Sequence, residues 1–112
     1  MMVEEIKVIQ PSGILDAAQS QELRKKIDEI LQKESSTKTV LLDLKEVTFM
    51  DSSGLGALVL AFKALNSVEK NFVICSINEQ VRILFELTSM DKIFKIYSNR
   101  EEFNKAVSSR IN

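Results

Sequence analysis

Between Ser52 and Val68 the chain carries a single charged residue, Lys63, and this constrains what it can fold into more than any other feature. Leu55, Leu58, Val59, Phe62 and Leu65 recur at helical spacing and predict a helix with one apolar face on a core. The opposite side of such a helix is normally charged, yet Gly56, Ala57, Leu60, Ala61 and Ala64 are small or apolar. A helix that avoids charge on two faces is either covered by other elements of its own domain or presents its outer face, around Gly56 and Leu60, to another molecule. The sequence leaves both open.

The segments around it alternate between strand and helix. Val40 to Leu44 predicts a strand buried on both faces, with Asp43 the exception, and Phe72 to Ile77 a second of the same kind. Ile6-Lys7-Val8 alternates as a strand, Pro11-Ser12-Gly13 predicts a turn, and Ile14-Leu15 a short strand completing an opening hairpin. Asp16 caps a helix carrying Leu23, Ile27, Ile30 and Leu31, with Gln19 three residues on as its capping-box partner. Asn78 caps a helix with Val81, Leu84, Phe85 and Thr88. Ile93 to Tyr97 is the last strand, and Ser98 with Glu101 opens a final helix containing Phe103, Ala106 and Val107. Alternating strands and helices imply crossover connections, so the expected fold is α/β: one domain over residues 1–112, with a mixed, mostly parallel central sheet of about five strands and about four helices.

Composition excludes several classes of function. The chain has no histidine, so Ser-His-Asp and Cys-His catalysis and histidine-based metal sites are ruled out, and no enzymatic activity is expected. Gly54 and Gly56 begin a Gly-x-Gly pattern, but Val59 stands at the third glycine position of a dinucleotide loop and no Gly-Lys-Ser/Thr follows, so these glycines read as close-packing positions and no cofactor is expected. Asp16, Asp43 and Asp51 are the carboxylates able to gather around a metal, yet two read as helix caps and the third as a strand-end acceptor for the neighbouring loop, and no metal site is expected. With 15 Lys+Arg against 16 Asp+Glu and no basic block, direct nucleic-acid binding is not expected. Cys75 lies in an apolar run and reads as a small buried hydrophobe. The absence of a membrane-length apolar stretch and of a signal-type N-terminus leads us to expect a cytoplasmic protein that makes no membrane contact.

What remains is the start of the uncharged helix, Asp51-Ser52-Ser53-Gly54. The first turn of a helix leaves backbone N–H groups unpaired and carries partial positive charge, so Asp51 caps it and a phosphate on an adjacent serine is stabilised there. On local chemistry alone an ordinary capped turn explains the same residues. A helical wheel centred on Leu55 and Phe62 aims Ser53 more directly away from the core than Ser52.

The run from Val40 to Leu65, with Asp51-Ser52-Ser53-Gly54-Leu55 at its centre, resembles the signature segment of STAS domains, in particular the stand-alone anti-sigma factor antagonists of bacterial partner-switching systems. Gly13-Ile14-Leu15-Asp16 is similar to that family's Gly-x-Leu-Asp turn, and Val81 to Ile96 follows its late helix and last strand. The resemblance implies that Ser52 is phosphorylated by a serine kinase that doubles as the anti-sigma factor, with Ser53 the alternative, and that a PPM-type serine phosphatase reverses it. It also implies that the unmodified helix start, with Asp51, Ser53, Gly54, Gly56 and Leu60, docks on the kinase, and that the turn at Asp16 lies near that surface. Ser89 departs from the pattern, which has a helix-ending glycine there. Two other readings stay open: a sensor whose helix start binds a nucleotide or other small molecule, and a constitutive interaction scaffold that is never phosphorylated.

Overall fold

The computed structural model describes residues 5–111. In chain order these form β1 (Ile6–Ile9), β2 (Ser12–Leu15), α1 (Ala17–Lys33), β3 (Thr39–Asp43), β4 (Glu46–Met50), α2 (Ser52–Ser67), β5 (Asn71–Cys75), α3 (Glu79–Leu87), a short 3-10 turn (Met90–Lys92), β6 (Lys95–Tyr97) and α4 (Arg100–Ile111). The α/β class and the four helices agree with the pattern in the sequence. The sheet differs from it.

The opening hairpin does not form. β1 pairs with β3 and β2 with β4, and every pairing among the described strands is parallel, so the sheet is not mixed. One four-stranded sheet has the order β1-β3-β5-β6, and β2 and β4 continue from β1 and β3 as a separate two-stranded ladder. The break falls where Pro11 has no N–H to donate. Ile9 pairs with Leu42, Ser12 with Glu46 and Ile14 with Phe49, so the register slips twice along the way. The second slip lies between Gly13 and Ile14, and Gly13 has φ 76°, a conformation glycine adopts without steric cost. Pro-Ser-Gly is therefore a bulged bend in a continuing strand rather than a reversal. The residues of β4, read from the sequence only as a lead-in to the helix, are a strand in their own right.

Alternation along the central strands divides the core. Val40, Leu42, Phe72 and Ile74 face α1, α2 and α3 with Leu23, Ile27, Leu58, Leu65, Val81 and Phe85 in the larger cluster. Leu41, Val73 and Cys75 face α4, where Phe103 and Val107 cover them. Phe94 joins the late elements to the larger cluster through edge contacts with Phe62 and Phe72, both at 6.1 Å between ring centroids.

Asp43 is buried with the rest of β3 rather than an exception to it. Its Oδ1 accepts the Lys45 N–H at 3.0 Å, the loop contact expected of a strand-end carboxylate, and its Oδ2 accepts from Arg100 Nη2 at 2.8 Å and Nε at 3.1 Å. A buried carboxylate needs such compensation, and Arg100 supplies it from the start of α4. The amide cap of α4 comes from Asn99, whose Oδ1 accepts the Glu102 N–H at 2.8 Å, one residue later than the expected Ser98.

Candidate functional site

The site is assembled where α1 and α2 begin. Both helices open with an aspartate in extended conformation. Asp16 Oδ1 accepts the Gln19 N–H at 3.2 Å, and Asp51 Oδ1 accepts the N–H groups of Ser53 at 2.9 Å and Gly54 at 3.1 Å. The two starts are held side by side. Asp51 N–H donates to Leu15 O at 3.4 Å, and the Ser20 hydroxyl on α1 donates to Ser53 O on α2 at 3.3 Å. The partial positive charge of two helix N-termini thus lies in one region, where it offsets part of the charge of the two cap carboxylates.

Ser52 and Ser53 are both exposed in this region. Gly54 is not part of that surface. It is buried, and a Cβ built on it would overlap Leu15 O and lie 2.9 Å from Met50 Cγ, so its role is to let α2 approach β2 and β4. This overturns its expected place among the docking residues and agrees with the close-packing reading. Gly56 has nothing within 4 Å of its Cβ position, so close packing does not account for it.

The core face of α2 is also rotated from the expected stripe. Gly54, Leu58, Ala61 and Leu65 are buried, while Leu55, Val59 and Phe62 are half-buried. Small residues at 54 and 61 bring that side of the helix closest to its neighbours. The outer side is divided between the two outcomes the sequence left open. α1 packs along part of it, and the rest is the floor of a groove of about 880 Å³ lined by Ser20 and Arg24 of α1 and by Ser52, Ser53, Gly56 and Leu60 of α2. Leu60 is 57% exposed there. Asp16 and Asp51 are half-buried caps behind the groove rather than part of its lining.

The outline is a capped helix start carrying two exposed serines beside a largely apolar groove, in an α/β fold whose described strands all pair in parallel. The STAS domain family model matches residues 2–103. The chain belongs to the STAS domain family. An anti-sigma F factor antagonist of Paenibacillus polymyxa is 33% identical over 94 residues, covering 84% of this chain and 80% of that one. An anti-sigma-B factor antagonist of Listeria monocytogenes is 31% identical over 93 residues, covering 83% and 80%. Among solved structures, the anti-sigma factor antagonist SpoIIAA in its unphosphorylated form superposes with a TM-score of 0.71 over 96% of this chain and 94% of that one, at 24% identity. SpoIIAA from Bacillus is also known in a phosphorylated form, with a TM-score of 0.70 at 23% identity over 95% of each chain. At these identities the structural likeness speaks to the fold.

Three contributors to this STAS site escaped the sequence reading. Ser20 and Arg24 sit on α1, which reads as an ordinary amphipathic helix with a charged face, and no local signal sets them apart. Gln80 reaches the residue before Asp51 from α3, a contact between segments far apart in the chain. Asn78 was legible as a cap: its Oδ1 accepts the Val81 N–H at 2.9 Å. Its second role, donating from Nδ2 to Val47 O at 3.2 Å and Thr48 O at 3.1 Å, was not.

Asp16 and Asp51 are committed to backbone amides of their own helix starts, and Asp43 to the Lys45 amide and Arg100. Burial pushes the Cys75 thiol above its ordinary value, with Asp43 adding to the effect and Ser76 and Arg100 opposing it. No helix among the described residues is long and apolar enough to cross a membrane.

Proposed function

We propose that this chain is an anti-sigma factor antagonist whose binding is switched by phosphorylation at Ser52. Unmodified, the groove floored by Gly56 and Leu60 docks on an anti-sigma factor that is also a serine kinase, and the sigma factor is released. Phosphorylation ends the docking, and a PPM-type serine phosphatase restores it. The observation that carries this reading is the exposed Ser52 in the lining of a largely apolar groove, beside a carboxylate-capped helix start. The names of the Paenibacillus and Listeria relatives support it.

The physics separates stability from binding. A phosphoryl group adds about −1.5 to −2 charges and a tightly held hydration shell. Within the domain, two helix N-termini offset that charge. Against a partner, an unpaired dianion next to Asp51 has to be desolvated, at a cost of several kcal/mol, which corresponds to orders of magnitude in affinity.

The test is a binding titration with the kinase recovered from the source cells on the immobilised Ser52→Ala chain. Ser52→Ala should bind it in the presence of ATP as tightly as the unmodified wild type, and Ser52→Asp at least about a hundredfold more weakly. Equal binding by both variants would replace the switch with the constitutive scaffold.

A further inference from the structure

We propose that Gln80 is a positioning residue for the Ser52 phosphoacceptor, holding the junction between β4 and α2 through a two-bond clamp on Met50. This rests on the Ser52 reading above and assigns a distant residue to the same site.

The need for a clamp follows from the topology. β3 has β5 on its far side, but β5 ends at Cys75, so among the described residues β4 runs on with no strand beside its outer edge. Met50, the last residue of β4, is fully buried, and its backbone N–H and C=O are withheld from water unless something pairs with them. Gln80 pairs with both. Met50 N–H donates to Gln80 Oε1 at 2.8 Å, and Gln80 Nε2 donates to Met50 O at 2.9 Å. A planar carboxamide offers the same donor and acceptor as a peptide group, so one side chain stands in for the missing strand.

Gln80 is itself fixed. It lies in the first turn of α3, whose cap residue Asn78 is tied to Val47 and Thr48 of the same strand, and α3 is anchored behind by fully buried Val81 and Phe85. On the other side of the junction the restraint is weaker, since Asp51 N–H reaches Leu15 O at 3.4 Å. Only Asp51 separates Met50 from Ser52. Without the clamp the Met50–Asp51 peptide is held only by the long Asp51–Leu15 bond, the Asp51 cap loosens with it, and the serine hydroxyl loses its fixed approach to a kinase. Phosphoryl transfer depends on such positioning, whereas docking on Gly56 and Leu60 does not involve Gln80.

Two variants test this. Gln80→Met keeps the length and removes both bonds; Gln80→Glu keeps the acceptor for Met50 N–H and removes the donor. Amide hydrogen exchange on the full chain reads the clamp. Phosphorylation kinetics with ATP and the kinase recovered on the immobilised Ser52→Ala chain read its consequence. In Gln80→Met, exchange of the Met50, Ser53 and Gly54 amides should rise at least about tenfold while those of Leu42 and Ile74 stay protected. Its kcat should fall about tenfold with KM little changed. Gln80→Glu should keep the Met50 amide protected and fall between the two in kcat. Unchanged exchange at Met50 would overturn the proposal. So would faster exchange there with an unchanged kcat, which would leave Gln80 a structural residue only. A wild-type chain that takes no phosphate would contradict the Ser52 reading instead, and the exchange pattern would still decide whether Gln80 holds the helix start.

Discussion

Gly54, in the first turn of α2, lies so close to the carbonyl oxygen of Leu15 at the end of β2 that no side chain fits between them. Adding a methyl group in Gly54→Ala forces α2 away from both β2 and Met50, which costs about 1–3 kcal/mol. Gly56, two residues on, faces open space, and Gly56→Ala should raise stability by roughly 0.5–1 kcal/mol by removing a flexible residue from a helix. Urea unfolding of the two variants checks the contrast. If Gly56→Ala keeps its stability and loses partner binding, the groove reading gains its most direct support.

Ser89 has φ 61° in the turn that follows α3, the left-handed region where the family pattern has glycine. Ser89→Gly should therefore stabilise the chain by about 1 kcal/mol. Thermal unfolding of the variant reads this, and partner binding should not change.

Cys75 supplies a pH dependence. Its folded pKa is raised by burial, so from the ordinary thiol value of about 8.5 upward the unfolded chain releases a proton that the folded chain retains. The stabilising contribution is complete below that value and is lost as pH rises toward the folded pKa. Wild-type stability should fall with rising alkalinity more steeply than that of Cys75→Ala, measured by denaturant midpoints across the alkaline range. Parallel slopes would contradict this.

Ser52→Asp separates the switch from the fold. An exposed carboxylate in the first turn of α2 interacts favourably with the helix terminus, so the variant should unfold within about 0.5 kcal/mol of the wild type. A large loss of stability would make Ser52 a structural residue.

The legible parts of this molecule are those that depend on near neighbours in sequence. Asp16, Asp51 and Asn78 cap their helices as short polar side chains placed just before an apolar period, and Cys75 is buried where its run of β-formers put it. The opening hairpin misled because Pro11-Ser12-Gly13 has the composition of a reversal, while the partners that keep β2 going straight, Glu46 to Met50, lie far along the chain. Gly54 and Gly56 look alike in the sequence and differ only in what packs above them. The Gln80 clamp and the Asp43–Arg100 pair are likewise products of topology, since no periodicity announces which distant side chain will meet a strand end.

The proposed switch turns on one hydroxyl. Phosphosite mapping by mass spectrometry, on the chain purified from its own cells and after incubation with ATP and the recovered kinase, tests it most directly. We expect a single phosphoryl group on Ser52. A phosphate on Ser53 would contradict the assignment while keeping the switch, and a chain that carries no phosphate under either condition would contradict the switch itself.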